Sequence, residues 1–172
     1  YALGEQDRIA GISGYTVRPP QARKEKPKVY AFTTGDIEKI LAVQPDLVLT
    51  FSDLQADIAR DLIKAGVPVY AFNTRSVDDI LGMVETLGRL VGAEAKAAAL
   101  VSELEGQIAA ARAIAAERIA KTGHRPRVYF EEWDSPNITA VRWASELIEI
   151  AGGADIFPER ATSPLARDRI LA

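Results

Sequence analysis

The side chains best equipped for chemistry lie in one stretch, YFEEWDSPNITAVRW, where Glu131, Glu132 and Asp134 surround Trp133; the only histidine, His124, lies upstream. Clustered carboxylates suit a divalent cation, which prefers oxygen ligands, or acid–base work, which needs two titrating groups to converge. On an extended backbone, however, successive side chains leave on opposite faces, so Glu131 and Glu132 diverge. Exposed charge at a strand end is the favoured reading, and a metal-site enzyme domain using Glu131, Glu132 and His124 is the alternative. His124 sits in the polar linker Thr122-Gly123-His124-Arg125-Pro126 without a nucleophile signature around it. Cysteine is absent, which excludes a thiolate nucleophile, a thiolate metal site and a disulfide framework, but leaves the redox compartment open. No catalytic or metal-ligating residue is assigned.

Phosphate binding fails on the same inspection. The chain has no GxGxxG or GxxxxGK[ST], and the segments that follow its apolar runs read Ser52-Asp53 and Asn73-Thr74. Those runs end instead in aromatic side chains. Tyr15 follows the first, Phe51 closes LVLTF, Phe72 closes VPVYAF, Trp133 follows RVYFEE, and Phe32 precedes a short helix. Any one of these rings is ordinary core. As a set at the carboxyl ends of strands, they predict a cleft lined by aromatic surface for a large, partly apolar ligand.

The elements that must position these rings follow from periodicity. Residues 9–13, 47–51 and 67–72 read as strands, and LVLTF is continuous enough to predict a buried parallel strand. Between the last two, Leu54, Ile58, Leu62 and Ile63 mark one helix face, with Asp53 as cap and Gly66 as stop. A short helix at 35–41 is capped near Thr34 or Asp36 and ends before Pro45. This alternation predicts βαβ units and a parallel sheet. Ser76 then caps a helix with Val77, Ile80, Leu81, Val84, Leu87, Leu90 and Val91 in phase, stopped by Gly92. Residues 94–121 form an alanine-rich helix with Leu100, Leu104, Ile108 and Ile119 near one stripe, about 42 Å long and so able to bridge two bodies. After it, RVYFE (127–131) is a new strand, and 143–151 is a helix with Leu147, Ile148 and Ala151 inward, stopped by Gly152-Gly153.

The expected organisation is an α/β lobe at 1–92, an interlobe helix at 93–122 and a partial α/β lobe at 123–172. The abrupt start YALGEQD and the helix-like end ARDRILA suggest that a first strand, a targeting segment and later strands lie outside this sequence. A formal charge of −3 with scattered basic residues supplies no field for a nucleic-acid backbone, and no run reaches the ~18–20 apolar residues of a membrane span.

The order YALGEQDRIAGIS, GYTVRPPQA, FTTGDIEKILAVQPDLVLTF, SVDDILGMVETLGRLVG, the long helix, RVYFEEW and SELIEIAGGADIF resembles the helical-backbone class of ABC-transporter substrate-binding proteins. Members of that class capture vitamin B12, ferric siderophores or haem. The resemblance implies two α/β lobes joined by one rigid helix, no enzymatic activity, an extracytoplasmic location with or without a lipid anchor, and a permease dimer as partner. Tyr15 ahead of Pro19-Pro20, Phe32 six residues before Glu38, and Phe51 at the end of the PDLV strand are similar to the cobalamin-binding branch, which implies a corrinoid ligand between the lobes. The aromatic expected near Thr162 is missing, leaving Trp133 to supply the second wall. Ser52, Asn137 and Arg142 would add polar trim, and Arg142 keeps a ferric siderophore or haem as the alternative ligand. Glu38 in DIEKI and Asp168 in ARDRI match the positions at which one surface carboxylate per lobe docks on permease arginines. A single stiff helix as spacer implies modest opening and closing.

Overall fold

The computed structural model describes residues 1–31, 36–163 and 166–171. The chain is mixed α/β, as expected, and forms two compact units, Tyr1–Thr74 and Arg75–Ala172.

In the first unit β1 (Ile12–Ser13) pairs in parallel with β2 (Lys28–Tyr30), and the short α1 (Ala22–Glu25) connects them. Helix α2 (Ile37–Ala42) follows, capped by Asp36, whose carboxylate accepts the Lys39 N–H at 3.3 Å. Strands β3 (Val48–Thr50) and β4 (Val69–Ala71) form a second parallel pair in register Val48 to Val69. Helix α3 (Ala56–Lys64) crosses between them and seats Ile58 and Leu62 in a core with Ile40 and Val67. The predicted stop at Gly66 is present, at φ +80°.

Three expectations in this unit need correcting. Ser52, not Asp53, caps the turn: its hydroxyl accepts the Leu54 N–H at 3.2 Å, and a short 3-10 segment, Asp53–Gln55, precedes α3. Leu54 lies in that 3-10 turn, outside α3, and Ile63 sits about 100° around the helix from Leu62, and both are exposed. Strand β3 is parallel but not buried on both faces. The core lies on one side of it, and Leu49 points away, exposed.

The second unit is built on two helices, α4 (Val77–Val91) and α5 (Glu94–Thr122). Ser76 and Asp79 form the full reciprocal capping box of α4, and Gly92 closes it at φ +66°. At 29 residues α5 is about 44 Å long. The stripe of Leu100, Leu104, Ile108 and Ile119 is half-buried, and the fully buried residues are Ala97, Val101 and Ala115, the two alanines sitting where the chain makes its closest contacts. A Cβ added at Gly88 would lie 2.4 Å from the Ala97 Cβ, and one at Gly152 would lie 2.7 Å from the Ala115 Cβ. Arg118 secures the second crossing by donating to the Ala151 and Gly152 carbonyls.

RVYFE is not one strand. Strand β5 (Arg127–Val128) pairs in parallel with β8 (Ala154–Asp155), whereas β6 (Glu131–Asp134) turns away into an antiparallel hairpin with β7 (Asn137–Thr139). Ser135-Pro136 makes the turn. In α6 (Arg142–Ile150) the buried residues are Ala144, Ser145 and Ile150, while Leu147 and Ala151 are exposed and Ile148 is half-buried. The inward face was misphased because α6 packs on α4 and α5 as well as on β8, and these contacts favour its small residues. Helix α7 (Pro158–Ala161) and a 3-10 turn, Ala166–Arg169, complete the unit, with Ile138 and Ile170 forming an isolated antiparallel bridge.

Candidate functional site

Tyr15 stands just past β1, where the Gly14 N–H donates to the Tyr30 carbonyl at 2.7 Å and turns the chain. The residue is 69% exposed. Phe51 takes the equivalent place after β3 and is 48% exposed. The Phe51 N–H donates to Gln55 Oε1 at 2.8 Å, so a buried amide holds the backbone from which the ring projects. Gln55 also bonds Tyr30, whose hydroxyl is pushed above its ordinary pKa by burial, the Gln55 hydrogen bond opposing. Ser52 is half-buried and occupied by its capping bond. Phe72 packs on Tyr70 with ring centroids 4.7 Å apart. Phe32 lies outside the described residues.

In the second unit Trp133 and Asn137 share the β6–β7 hairpin. Trp133 pairs across the strands with Ile138 and is 60% exposed, its indole N–H donating to the Ser135 carbonyl at 3.1 Å. Asn137 is exposed at the start of β7, and its carbonyl accepts the Leu171 N–H at 2.8 Å. Arg142 opens α6 and donates from Nε to Glu146 Oε1 at 2.8 Å, while Glu146 Oε2 accepts the Val77 N–H at 2.7 Å. Arg142 is thus part of a bridge that ends on the first turn of α4. Glu38 is exposed on α2. Asp168 is exposed and accepts the Ser163 hydroxyl at 2.7 Å.

The acidic cluster resolves into separate tasks. Glu131 accepts the Tyr129 hydroxyl, while Glu132 pairs with Arg169 and so is no idle strand-end charge. Among the described residues, no three His, Asp or Glu side chains gather to hold a metal ion, and no helix is long and apolar enough to cross a membrane. A cavity of about 770 Å³ opens elsewhere in the first unit, beside Tyr1, Val17, Arg18, Pro19, Pro20 and Glu25. None of the expected ligand residues lines it. Gln55, Glu146 and Arg169 were missed in the sequence; each is a polar side chain within a helical or turn segment, where nothing local marks it as buried or bridging.

The first unit thus carries parallel strand pairs followed by exposed rings, and the second a 29-residue helix. The chain belongs to the periplasmic binding protein family, whose model matches residues 1–172. It is 29% identical over 166 residues to the cobalamin-binding protein of Halobacterium salinarum, a match covering 95% of this chain and 44% of that protein. The crystal structure of the periplasmic vitamin B12-binding protein BtuF of Vibrio cholerae superimposes with a TM-score of 0.76 at 25% identity, over 96% of this chain and 63% of that one. The periplasmic heme-binding protein RhuT from Roseiflexus sp. RS-1 has the same fold, with a TM-score of 0.76 at 23% identity over 92% and 61% of the two chains. The chain therefore spans roughly half to two-thirds of the length of the relatives it matches.

Proposed function

We propose that this chain belongs to the substrate-binding component of an ABC importer and that its ligand is a corrinoid. The supporting observation is a set of exposed rings at strand ends and on a hairpin, Tyr15, Phe51 and Trp133, in a chain whose relatives include cobalamin- and vitamin B12-binding proteins. A corrin presents two broad apolar faces, and removing them from water against aromatic rings supplies affinity without any bond being made or broken. In this reading Tyr15, Phe51 and Phe32 come from one lobe and Trp133 from the other. Ser52, Asn137 and Arg142 trim the polar periphery. Glu38 and Asp168 are the carboxylates that dock on permease arginines on the extracytoplasmic side of the membrane.

The direct test is absorbance titration with cyanocobalamin and, separately, with haem. Stoichiometric cyanocobalamin binding without turnover and without need of added divalent metal is expected. In a Trp143→Phe background, Trp133 emission should quench on addition. Trp133→Ala should weaken binding roughly tenfold, about 1.4 kcal/mol, within the range of one aromatic contact. Haem binding with no cyanocobalamin binding would replace the corrinoid by the alternative ligand. Binding of neither would overturn the reading.

A further inference from the structure

Among the described residues Arg169 is the one buried cation, 4% exposed. Its Nη1 pairs with the Glu132 carboxylate and also donates to the Thr139 carbonyl at 3.0 Å, while its Nε has no partner. The Thr139 hydroxyl, fully buried beside it, is unpaired as well. A guanidinium taken out of water on such incomplete terms is a poor device for stability, but a strong constraint on register, because shifting either segment would strand the charge. The two segments it joins are the ones that matter to the proposed function. Glu132 immediately precedes Trp133, and Arg169 immediately follows Asp168. Further contacts reinforce the junction: Leu171 N–H to the Asn137 carbonyl at 2.8 Å, the Ile138–Ile170 bridge, and Arg160 Nη1 to the Ile170 and Asp168 carbonyls at 2.7 and 3.2 Å.

We infer that Glu132 and Arg169 are positioning residues, whose ion pair holds the Trp133 hairpin and the Asp168 turn as one rigid piece. A ligand settling against Trp133 is thereby transmitted to the docking carboxylate. That consequence rests on the reading of Trp133 and Asp168 given above; the positioning itself does not.

The test compares the whole chain with its Glu132→Gln variant, both in a Trp143→Phe background, by residue-resolved hydrogen exchange and Trp133 fluorescence. Glu132→Gln should speed exchange of the Leu171 amide at least tenfold and change Trp133 emission and acrylamide quenching, with α4 and α5 amides unaltered. Glu132→Asp should recover part of both signals. Unchanged Leu171 exchange together with unchanged Trp133 emission would overturn the proposal. Should Glu132→Gln lose its helical signal altogether, Arg169→Lys, which keeps the charge but not the fork, carries the same comparison. Cyanocobalamin adds the second arm, in which it slows Leu171 exchange in the parent but not in Glu132→Gln. Cyanocobalamin that fails to bind the parent overturns the corrinoid reading and leaves the ligand-free comparison standing. Cyanocobalamin that binds and protects both chains equally overturns the transmission.

Discussion

Gly88 lies on the face of α4 that meets α5, and its replacement by alanine places a methyl group where there is no room. The added Cβ would fall 2.4 Å from the Ala97 Cβ and 3.3 Å from the Ala93 carbonyl oxygen. Carbon–carbon contacts relax at about 3.5–4.0 Å, so the helices must part by roughly 1 Å. Overpacking of this kind costs roughly 1–3 kcal/mol. Alanine is a better helix former than glycine by about 1 kcal/mol, which offsets part of that cost. Gly82, in the same helix, has nothing within 4 Å of an added Cβ, so Gly82→Ala gains the propensity without the clash. The difference between the two variants isolates the packing term and should be about 1–3 kcal/mol, with Gly88→Ala the less stable. Urea unfolding followed by circular dichroism reads this as a separation of midpoints at constant slope. Equal midpoints for the two variants would refute the proposed helix–helix contact.

Leu62 is completely buried among Ile40, Ile58 and Val67, so Leu62→Ala should cost roughly 2–5 kcal/mol in the same assay. A loss under about 1 kcal/mol would mean that this core is not formed as described. Asp79 accepts the backbone N–H groups of Arg75 and Ser76, which hold its carboxyl below the ordinary aspartate value. Its folded-state pKa is depressed, so its contribution to stability is present above the unfolded value, near pH 4, and fades as pH falls through the folded one. Unfolding midpoints measured across pH 2–6 should therefore fall less steeply at the acid end in Asp79→Asn than in the parent.

Much of the architecture was legible because it is written in local signals. Asp36, Ser76, Gly66 and Gly92 act on backbone groups within a few residues, and all four perform the capping or stopping task expected of them. The alternating runs VLT and VYA pair in parallel, as a βαβ unit requires. The phases of α3 and α6 were less legible. A 3-10 turn takes Leu54 out of α3 and Ile63 falls beyond the face set by Ile58 and Leu62, while α6 meets two helices as well as a strand, so the apolar pattern alone did not choose its inner face. The splitting of RVYFEEW into β5 and β6 was equally hidden, since each half has its partner far along the chain or beyond a turn.

The candidate site divides along the same line. Ring-bearing residues after apolar runs could be named from the sequence because such runs are local features; Tyr15 and Phe51 are exposed just past β1 and β3, whereas Trp133 is exposed within β6, on the hairpin. The polar groups that bridge distant segments could not. Glu146 reaches the Val77 N–H from 69 residues away, and Arg169 reaches Glu132 across 37. Side chains two residues apart in a strand, or three or four apart in a helix, share a face by local geometry alone, whereas groups this distant meet only after whole elements have docked. Whether Glu132 is a solvated charge or the counterion of a buried guanidinium is decided by that docking, because burial, and with it the cost of leaving a charge unpaired, belongs to the packed molecule.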